Sequence, residues 1–466
     1  MLITQAVEQD TRSVLMTVMN GLKFQCTSTT CTPFLDLNTR NVLTCQMACL
    51  AQTECKAVSF HLSTSNCELF TDMSDQNVNM VADLDTVSMN IISGTRFPPE
   101  TTVTSASSTT KTTTTTTTTS TSTSTTTSTT TTAASGWIPT GNMNVTRAYH
   151  TASVLGNGKV LLTGGRNNIS YFNSAELYDS TTGTWTSTGN MNVSRAYHVT
   201  SLLRNGKVLV IGGFTGSNYL SSAELYNFTT GNWASTGNMN TTRGYHTASV
   251  LGNGTVLVTG GYGSSNTYLN SVELFDSTTG IWISTGKMNV TRAYHTASVL
   301  GNGKVLVTGG RNNNSYLNSA ELYDSTTGNW INTGNMNVTR AFHTASVLGN
   351  GKVLVIGGFT GSSYLNSAEL YDFTTGNWTS TGNMNVTRGY HTASILGNGK
   401  VLVSGGYNGN TLNSAELYDP TTGSWATIES MSATRRMHTA SILGNGTVLV
   451  TGGYNGSSYF NSAELY

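Results

Sequence analysis

The sequence predicts a mainly β chain whose larger part, residues 136–466, is a seven-bladed β-propeller. Three series of residues support this: tryptophans, histidines, and glycine pairs such as the one that ends "RAYHTASVLGNGKVLVTGG". The tryptophans fall at 137, 185, 233, 282, 330, 378 and 425, and the histidines at 150, 198, 246, 295, 343, 391 and 438. Both series step by 47 to 49 residues, and a period near 50 is typical of propellers in which each repeat supplies one four-stranded blade.

Each repeat contains signals for four strands. After His295, "HTASVL" and "KVLVTGG" are two short strands, and the "GNG" between them predicts a two-residue Asn-Gly hairpin. "NSAELYD" is the third strand, "STTG" a turn and "NWINT" the fourth strand. The second strand is apolar on successive residues at 305–307, which indicates that both of its faces are covered. Neighbouring blades supply that cover in a propeller.

The two ends of the repeat region indicate how the ring closes. Trp137 has no "AELYD" before it, and the last repeat stops at Tyr466 with no tryptophan after it. We therefore predict that the strand at Trp137 completes the blade built from 438–466. This closure removes the unpaired sheet edges that otherwise promote aggregation.

The glycine pair, the aromatic residue that usually follows it, "ELYD" and the spaced tryptophan together resemble the kelch motif, over the whole of 137–466. The resemblance implies the kelch propeller fold. Galactose oxidases share that architecture and use copper with a Tyr–Cys cross-link. No cysteine follows Cys67, so we expect neither this cofactor nor oxidase activity here.

Three polar residues recur once per repeat: the histidine, the Arg of "TR" or "SR", and the Glu of "AEL" or "VEL". Catalysis needs unlike groups that converge on one reacting atom, whereas seven identical histidines are spread over seven blades. We therefore expect structural histidines, and each Glu paired with an Arg so that no part-buried carboxylate stands alone. No catalytic residue, metal site or cofactor is predicted.

All six cysteines lie in the first region, residues 22–97: Cys26, Cys31, Cys45, Cys49, Cys55 and Cys67. An even number in so short a segment predicts a disulfide framework made in an oxidising compartment. A zinc site is the alternative, but the spacing is not two CxxC pairs and only His61 is near. "CQMACLAQTEC" predicts a helix with Cys45 and Cys49 on one face, and "KAVSFHL" and "CELF" predict two strands.

This region resembles the PAN/apple domain, a small extracellular module in which disulfides tie a helix to a sheet. The matching residues are the inner cysteines with 57–60 and 67–69. The resemblance implies Cys45–Cys67 and Cys49–Cys55 bridges, which leaves Cys26 with Cys31. Family members usually carry a further cysteine after the last strand, and none follows Cys67. Members of the family bind proteins or sugars.

Residues 101–135 are almost entirely Thr and Ser. Such a tract has no apolar surface to offset the entropy lost on ordering. Its composition is typical of an O-glycosylated, mucin-like stalk, and a plain flexible linker is the alternative. Both interpretations separate two folded parts.

Loops between the second and third strands vary from repeat to repeat, and each begins with an aromatic residue or arginine. These seven residues are the candidate ligand-binding residues: Arg166, Phe214, Tyr262, Arg311, Phe359, Tyr407 and Tyr454. Projecting aromatic and Arg side chains are frequent anchors of recognition. The alternative is that several of the rings pack back on their blade. The order Arg, Phe, Tyr, Arg, Phe, Tyr, Tyr indicates a three-blade block that was duplicated, with a seventh copy added.

Six acceptor sequences for N-glycosylation lie in the loops between the fourth strand and the next first strand, on the same face: Asn144, Asn192, Asn240, Asn289, Asn337 and Asn385. If the chain is secreted, six glycans are expected to crowd that face.

Composition limits the function. The net charge is zero and 10% of residues are charged, which argues against nucleic-acid binding because that needs a concentrated positive field. No apolar run approaches the roughly 20 residues that span a bilayer. The N-terminus is a poor signal peptide, so we expect either a start that is not the natural one or an unrecognised signal.

We expect a non-catalytic, monomeric recognition or adhesion protein, extracellular or at the cell surface, that binds protein or carbohydrate ligands. Two alternatives remain: an intracellular kelch-type adaptor and, ranked last, a carbohydrate-active enzyme on a kelch scaffold.

Overall fold

A computed structural model describes residues 136–466 in full and, before them, the backbone of six strands between Leu2 and Ile91. The chain divides into two compact units, Met1–Thr125 and Thr126–Tyr466. Across the described residues, no helix combines the length and the apolar character that a membrane crossing requires.

The first unit contains one antiparallel sheet of six strands in the order β1-β2-β6-β4-β5-β3. The strands are β1 (Leu2–Gln9), β2 (Arg12–Cys26), β3 (Leu35–Asn38), β4 (Ala57–His61), β5 (Asn66–Phe70) and β6 (Val78–Ile91). The two strands predicted at "KAVSFHL" and "CELF" are confirmed as β4 and β5. The predicted helix around Cys45 and the predicted pairing of the cysteines lie outside the described residues.

The second unit is a ring of seven four-stranded antiparallel sheets, and 136–466 contain no α-helix. Blades 1 to 3 are β8 (Thr151–Val154), β9 (Val160–Thr163), β10 (Ala175–Asp179), β11 (Thr184–Ser187); β12 (Val199–Leu202), β13 (Val208–Ile211), β14 (Ala223–Asn227), β15 (Asn232–Ser235); and β16 (Thr247–Val250), β17 (Val256–Thr259), β20 (Val272–Phe275), β21 (Trp282–Ser284). A small hairpin in blade 3 adds β18 (Tyr262–Gly263) and β19 (Thr267–Tyr268), joined by a 3-10 turn at Ser264–Asn266.

Blades 4 to 7 repeat the pattern. They are β22 (Thr296–Val299), β23 (Val305–Thr308), β24 (Ala320–Asp324), β25 (Asn329–Asn332); β26 (Thr344–Val347), β27 (Val353–Ile356), β28 (Ala368–Asp372), β29 (Asn377–Ser380); β30 (Thr392–Ile395), β31 (Val401–Ser404), β32 (Ala415–Asp419), β33 (Ser424–Ile428); and β34 (Thr439–Ile442), β35 (Val448–Thr451), β36 (Ala463–Leu465) with β7 (Ile138–Thr140).

The predicted closure of the ring is confirmed. Strand β7 pairs with β36, with Ile138 opposite Leu465 and Thr140 opposite Ala463. Just before β7, the indole of Trp137 lies 5.2 Å from the ring of Tyr466, and its N–H donates to the carbonyl of Glu429 at 2.8 Å. The final blade is therefore made from both ends of the repeat region.

Burial explains the apolar second strands. Val305, Leu306 and Val307 are all fully buried, because the two faces of β23 pack on different neighbours. Leu306 packs with Val353 of blade 5, while Val305 and Val307 pack with Leu257 of blade 3. The core of the propeller thus lies between blades rather than inside any one of them.

The hairpin between the first and second strands differs from the predicted two-residue turn. In blade 1, strand β8 ends at Val154 and β9 begins at Val160, and the N–H of Gly158 donates to the carbonyl of Leu155 at 2.9 Å. Gly158 has φ of 82°, whereas Asn157 is not among the residues with positive φ. A two-residue type I′ turn needs positive φ at both central residues, so the longer loop with glycine in the left-handed region forms instead.

Candidate functional site

The upper face of the propeller, as we name it, carries the loops between second and third strands and those between fourth and first strands. First strands of neighbouring blades contact one another around the axis, and fourth strands lie at the outer edge. Residues in the loop that leads into each first strand therefore lie nearest the axis on this face.

The seven predicted ligand-binding residues all lie on the upper face, at the start of the second-to-third strand loops, and all are half-buried. Each pairs by its backbone with the loop that enters its own blade; for example, Arg166 pairs with Ala148. Their side chains contact aromatic residues of the same and adjacent loops. The rings therefore pack on rings of their own and the adjacent loops, and they keep part of their surface exposed.

These contacts close into a continuous circle, which we call the aromatic belt. Its fourteen members, in order of contact, are Arg166, Tyr171, Phe214, Tyr219, Tyr262, Tyr268, Arg311, Tyr316, Phe359, Tyr364, Tyr407, Arg436, Tyr454 and Tyr459. Adjacent ring centroids are 4.6 to 5.8 Å apart. Arg166 completes the circle, because its guanidinium donates to the hydroxyl of Tyr459 at 2.8 Å and to that of Tyr171 at 3.2 Å.

The belt is irregular at blade 6. Thr411 stands there at the position that an aromatic residue holds in the other blades, and its hydroxyl donates to the carbonyl of Asn455 at 2.9 Å. Arg436 fills the place of the absent ring, with its guanidinium carbon 4.0 Å from the centroid of Tyr407. In other blades the position equivalent to Arg436 is Ala or Gly. The sequence analysis did not single out this arginine.

A second circle, the axial ring, lies inside the belt and was not predicted. Its members precede the seven histidines: Tyr149, Tyr197, Tyr245, Tyr294, Phe342, Tyr390 and Met437. All seven have φ between 54 and 59°, which is uncommon for residues with side chains. Each backbone N–H donates to the carbonyl of the preceding member, at 3.0 to 3.4 Å, around the whole circle. The signal in the sequence was the aromatic residue before six of the seven histidines.

An axial cavity of about 360 Å³ opens beside this ring. The axial ring lines it, together with His150, His198, His246 and Val199. Neighbouring aromatic centroids in the ring are 4.2 to 4.6 Å apart. Its size falls within the range of small-molecule sites, about 300–1,000 Å³.

The histidines are buried, as predicted, and most join two blades. The Nε2 atom of His198 lies 3.0 Å from the hydroxyl of Thr151 and 3.2 Å from that of Thr163, both in the preceding blade. Six histidines have at least one such hydroxyl partner. Within 136–466, His246 has no hydrogen-bond partner at either ring nitrogen.

Burial sets the protonation of these groups. It lowers the pKa of His198 to about 3, with a further lowering by the charge of Arg195. Burial, with the charge of Arg243, lowers the pKa of His246 well below its usual value. On the belt, burial raises the pKa of Tyr219 to about 12. At neutral pH these two imidazoles and the hydroxyl of Tyr219 are therefore uncharged.

The predicted pairing of Arg with Glu is confirmed within every blade. In blade 4 the Nη2 of Arg292 lies 2.7 Å from a carboxylate oxygen of Glu321, and neither side chain is exposed. The seven pairs span 2.6 to 2.9 Å. Each carboxylate also accepts the backbone N–H of a loop residue, such as that of Asn289 at 2.6 Å. These pairs hold the upper loops in place.

The belt arginines differ from these buried arginines in one respect. Ion pairs within 136–466 are the seven Arg–Glu pairs and four Lys–Asp pairs, and they do not include Arg166, Arg311 or Arg436. The Nε atoms of Arg311 and Arg436 are buried and have no hydrogen-bond partner among the described residues. The upper face therefore presents uncompensated positive charge beside aromatic rings.

The six predicted glycosylation acceptors lie at the outer edge of the upper face and are exposed. The Nδ2 of Asn144 donates to the hydroxyl of Ser187, the last residue of the outermost strand β11, at 3.2 Å. The other five make the equivalent contact with a fourth strand. Glycans at these sites would surround the face rather than cover its axis. The acceptor pattern also occurs in upper loops at Asn168, Asn313 and Asn455, and elsewhere at Asn227, Asn253, Asn377 and Asn445.

The described residues do not bring together a metal-binding set, since no three His, Cys, Asp or Glu residues among them converge on one point. Each buried carboxylate already binds an arginine, and six histidines already bind hydroxyls.

The four-stranded blades and their repeated motif define the class of protein as a kelch-type β-propeller. Comparison with known families agrees: the family model described as "KLHDC2/KLHL20/DRC7 Kelch-repeats domain" matches residues 234–381 and 284–453, and the Kelch motif matches 147–192 and 195–240. The PAN domain matches residues 24–91. The chain thus belongs to the kelch-repeat proteins and carries a PAN domain ahead of its propeller.

No curated protein matches the chain over its sequence. Among solved structures, one titled "Novel fungal alcohol oxidase with catalytic diversity among the AA5 family, in complex with copper" is similar, with a TM-score of 0.59 and 20% identity. The match covers 71% of this chain and 76% of that one. At this identity the similarity concerns the fold alone.

Proposed function

We propose that the chain is a non-catalytic recognition protein, extracellular or at the cell surface, that binds protein or carbohydrate ligands through the upper face of its propeller and its PAN domain. The observation that carries the proposal is the aromatic belt, which combines half-exposed rings with three arginines that have no carboxylate partner in the described residues. The kelch and PAN matches support an interaction role.

The chemistry of the belt suits recognition. Tyr, Trp and Arg dominate the energetics of protein interfaces, and rings fixed by neighbouring rings lose little side-chain freedom when a ligand binds. The three arginines stand at separate points of the belt: Arg166 between blades 7 and 1, Arg311 at blade 4, and Arg436 between blades 6 and 7. We therefore expect a ligand that presents acidic or hydroxyl groups together with an apolar surface.

Binding by two modules on one chain would raise the effective concentration of ligand at the second site. The Thr/Ser-rich residues 101–135 separate the two modules and support this arrangement. An intracellular adaptor remains the alternative. Cysteines that react with a thiol-blocking reagent without prior reduction would favour the adaptor, and cysteines that react only after reduction would favour the secreted protein.

The test is a screen of the full chain against a glycan array and a panel of cell-surface proteins, followed by belt variants. Arg166→Ala and Arg436→Ala are expected to weaken binding of the selected ligand at least tenfold. Arg204→Ala is the matched control, because Arg204 is exposed on the opposite face, in the loop between β12 and β13. Equal affinity in all three variants would contradict a binding role for the belt.

A further inference from the structure

Three departures from the repeat lie together on the upper face, where blades 6 and 7 meet. Thr411 stands in the belt where other blades have an aromatic residue, and Arg436 stands where they have Ala or Gly. Met437 is the one member of the axial ring that is not aromatic. Residues that maintain the fold recur in every blade, whereas exceptions that meet at one place indicate a function of that place.

Two of these departures fit each other. In blade 3, Gly244 stands at the position of Arg436, and a Cβ atom there would lie 3.0 Å from the ring of Tyr219. Thr411 holds the position of Tyr219 in blade 6, so the ring that would crowd a long side chain is replaced there by a small residue. Arg436 occupies the space, with its guanidinium carbon 4.0 Å from the centroid of Tyr407.

The axial ring is interrupted beside the same arginine. Its aromatic contacts run from Tyr149 to Tyr390 through four intervening rings. Met437 separates the two ends of this series, so within 136–466 no aromatic contact closes the circle. A methionine side chain is flexible where a phenol ring is rigid, so the axial cavity has its least rigid wall next to Arg436.

Two arginines lie near one phenol at this place. Burial raises the pKa of the Tyr149 hydroxyl, and the charges of Arg166 and Arg436 both oppose that rise. The guanidinium carbon of Arg166 lies 5.7 Å from the centroid of Tyr149, and that of Arg436 lies 5.4 Å from the centroid of Tyr454. Between the arginines, Tyr454 and Tyr459 pack with their centroids 4.6 Å apart. We call these five residues the arginine sector.

The duplicated half of the propeller lacks such a pair. Arg311 is the counterpart of Arg166 in blade 4, and the blade before it has Gly244 at the position of Arg436. Within 136–466, neither arginine of the sector belongs to an ion pair. Two like charges close together repel each other, and a bound anion would remove this cost. The pair therefore indicates an anionic ligand.

The groups around the pair suit a carboxylate carried by a sugar. Arg166 donates from Nε and Nη2 to the hydroxyl of Tyr459 and from Nη1 to that of Tyr171, which leaves one N–H on each Nη for a bidentate carboxylate. The backbones of Arg436 and Tyr454 bond each other, at 3.0 and 3.1 Å, so they offer no free edge for the addition of a peptide strand. The remaining partners are half-exposed tyrosines, which combine an apolar ring with a hydroxyl, as a sugar combines apolar faces with hydroxyls.

We infer that the arginine sector binds a carboxylated sugar unit of a glycan, with the carboxylate held by Arg166 and Arg436 and the sugar ring placed on Tyr454 and Tyr459. This inference rests on the proposed function, and it adds a ligand class and one position on the belt. An acidic peptide is a different class of ligand, and the test below distinguishes it.

Methyl β-glucuronide is a suitable probe, and methyl β-glucuronamide, in which an amide replaces the carboxylate, is its matched control. Calorimetric titration of the full chain is expected to show about ten- to hundredfold tighter binding of the glucuronide, as hydrogen bonds to a charged group provide. The α-amide of N-acetylglutamate carries the same charge on a peptide unit and is expected to bind more weakly than the glucuronide. Equal binding of glucuronide and glucuronamide, or tighter binding of the glutamate compound, would overturn the inference.

Variants locate the site. Arg436→Ala installs the residue that four other blades carry, so it is expected to keep the urea midpoint and to lose the preference for the glucuronide. Arg436→Lys keeps the charge without the planar fork and is expected to retain part of the preference. Arg204→Ala, on the opposite face, is expected to retain all of it. If Arg311→Ala removes as much of the preference as Arg436→Ala does, any arginine of the belt suffices and the inference fails.

The inference and the proposed function fail in different ways. A ligand from the screen whose affinity depends on Arg311 but not on Arg436 would support the proposed function and refute this inference. Glucuronide binding that Arg436→Ala abolishes, in a chain whose cysteines react without prior reduction, would support this inference and contradict the extracellular part of the proposed function.

Discussion

Replacement of one buried carboxylate provides a quantitative test of how the propeller is held together. Glu321 accepts from Nη2 of Arg292 at 2.7 Å and from the backbone N–H groups of Asn289 and Val290 at 2.6 and 3.2 Å. Neither charged side chain is exposed. In Glu321→Gln the shape is kept, but the charge of Arg292 is left without a counter-charge, and an NH2 group, which cannot accept a hydrogen bond, replaces one of the two accepting carboxylate oxygens.

The expected cost is about 3–5 kcal/mol in the free energy of unfolding, the range found when one partner of a buried ion pair is removed. The carbonyls of Gly309 and Ser319 still accept from Arg292, at 2.8 and 3.1 Å, so we place the value near the lower limit. Since whole domains are stable by about 5–15 kcal/mol, this single exchange removes a large share.

Urea unfolding of the full chain, followed by tryptophan fluorescence, measures the effect. The matched control in the same blade is Lys304→Ala, which breaks the pair with Asp324; that pair spans 3.1 Å and its side chains are 33% and 24% exposed. Exposed pairs contribute about 0–1 kcal/mol. If Glu321→Gln costs no more than Lys304→Ala, the buried pairs do not hold the loops as we describe.

Three further outcomes are expected. The pKa of His198 is lowered from 6.5 to about 3. The contribution of the neutral imidazole to stability is therefore complete above pH 6.5 and is lost as the pH falls towards 3, by up to about 1.4 kcal/mol per pH unit. His198→Gln should make the urea midpoint depend less steeply on pH over this range, and an unchanged slope would contradict this. Trp137→Ala should cost about 2–3 kcal/mol and, by loosening β7, cause self-association visible by light scattering, whereas a stable monomer would argue against the closure. Thr344→Val should cost about 1–2 kcal/mol, because it leaves Nε2 of His391 unbonded; an unchanged urea midpoint would show that the threonine does not hold the histidine.

Much of the propeller was predictable because its signals are local and repeated seven times. The blade strands and the closing strand at Trp137 followed from the spacing of tryptophan and from where the repeats begin and end. The pairing of Arg292 with Glu321 followed from equal numbers and from the cost of a lone buried charge. Repetition makes such inferences secure, since the same residues recur in seven blades and give the same Arg–Glu contact in each.

The site was less predictable because it depends on how the blades meet. In the sequence, Tyr294 is simply a loop residue that precedes a strand. Nothing in the residues around it predicts that its φ is positive or that it lies near the axis. That Val199 leaves Nε2 of His246 without a hydroxyl partner becomes clear only once His246 is known to reach into the preceding blade. Likewise, the sequence does not show that Arg436 belongs to the aromatic belt. Its place there follows from its contact with Tyr407, where Thr411 replaces the aromatic residue of other blades.

The short strand β7 has a mechanical consequence. Its three residues, Ile138–Thr140, are the first part of the propeller that the chain enters from its N-terminal side, so tension transmitted along the chain loads this strand before any other. The strand is antiparallel to β36, which ends one residue before Tyr466. A pulling force applied between Trp137 and Tyr466 therefore acts on the same end of both strands and breaks their hydrogen bonds one after another, from Ile138 and Leu465 towards Thr140 and Ala463. The contact between the rings of Trp137 and Tyr466 is the first to resist that force.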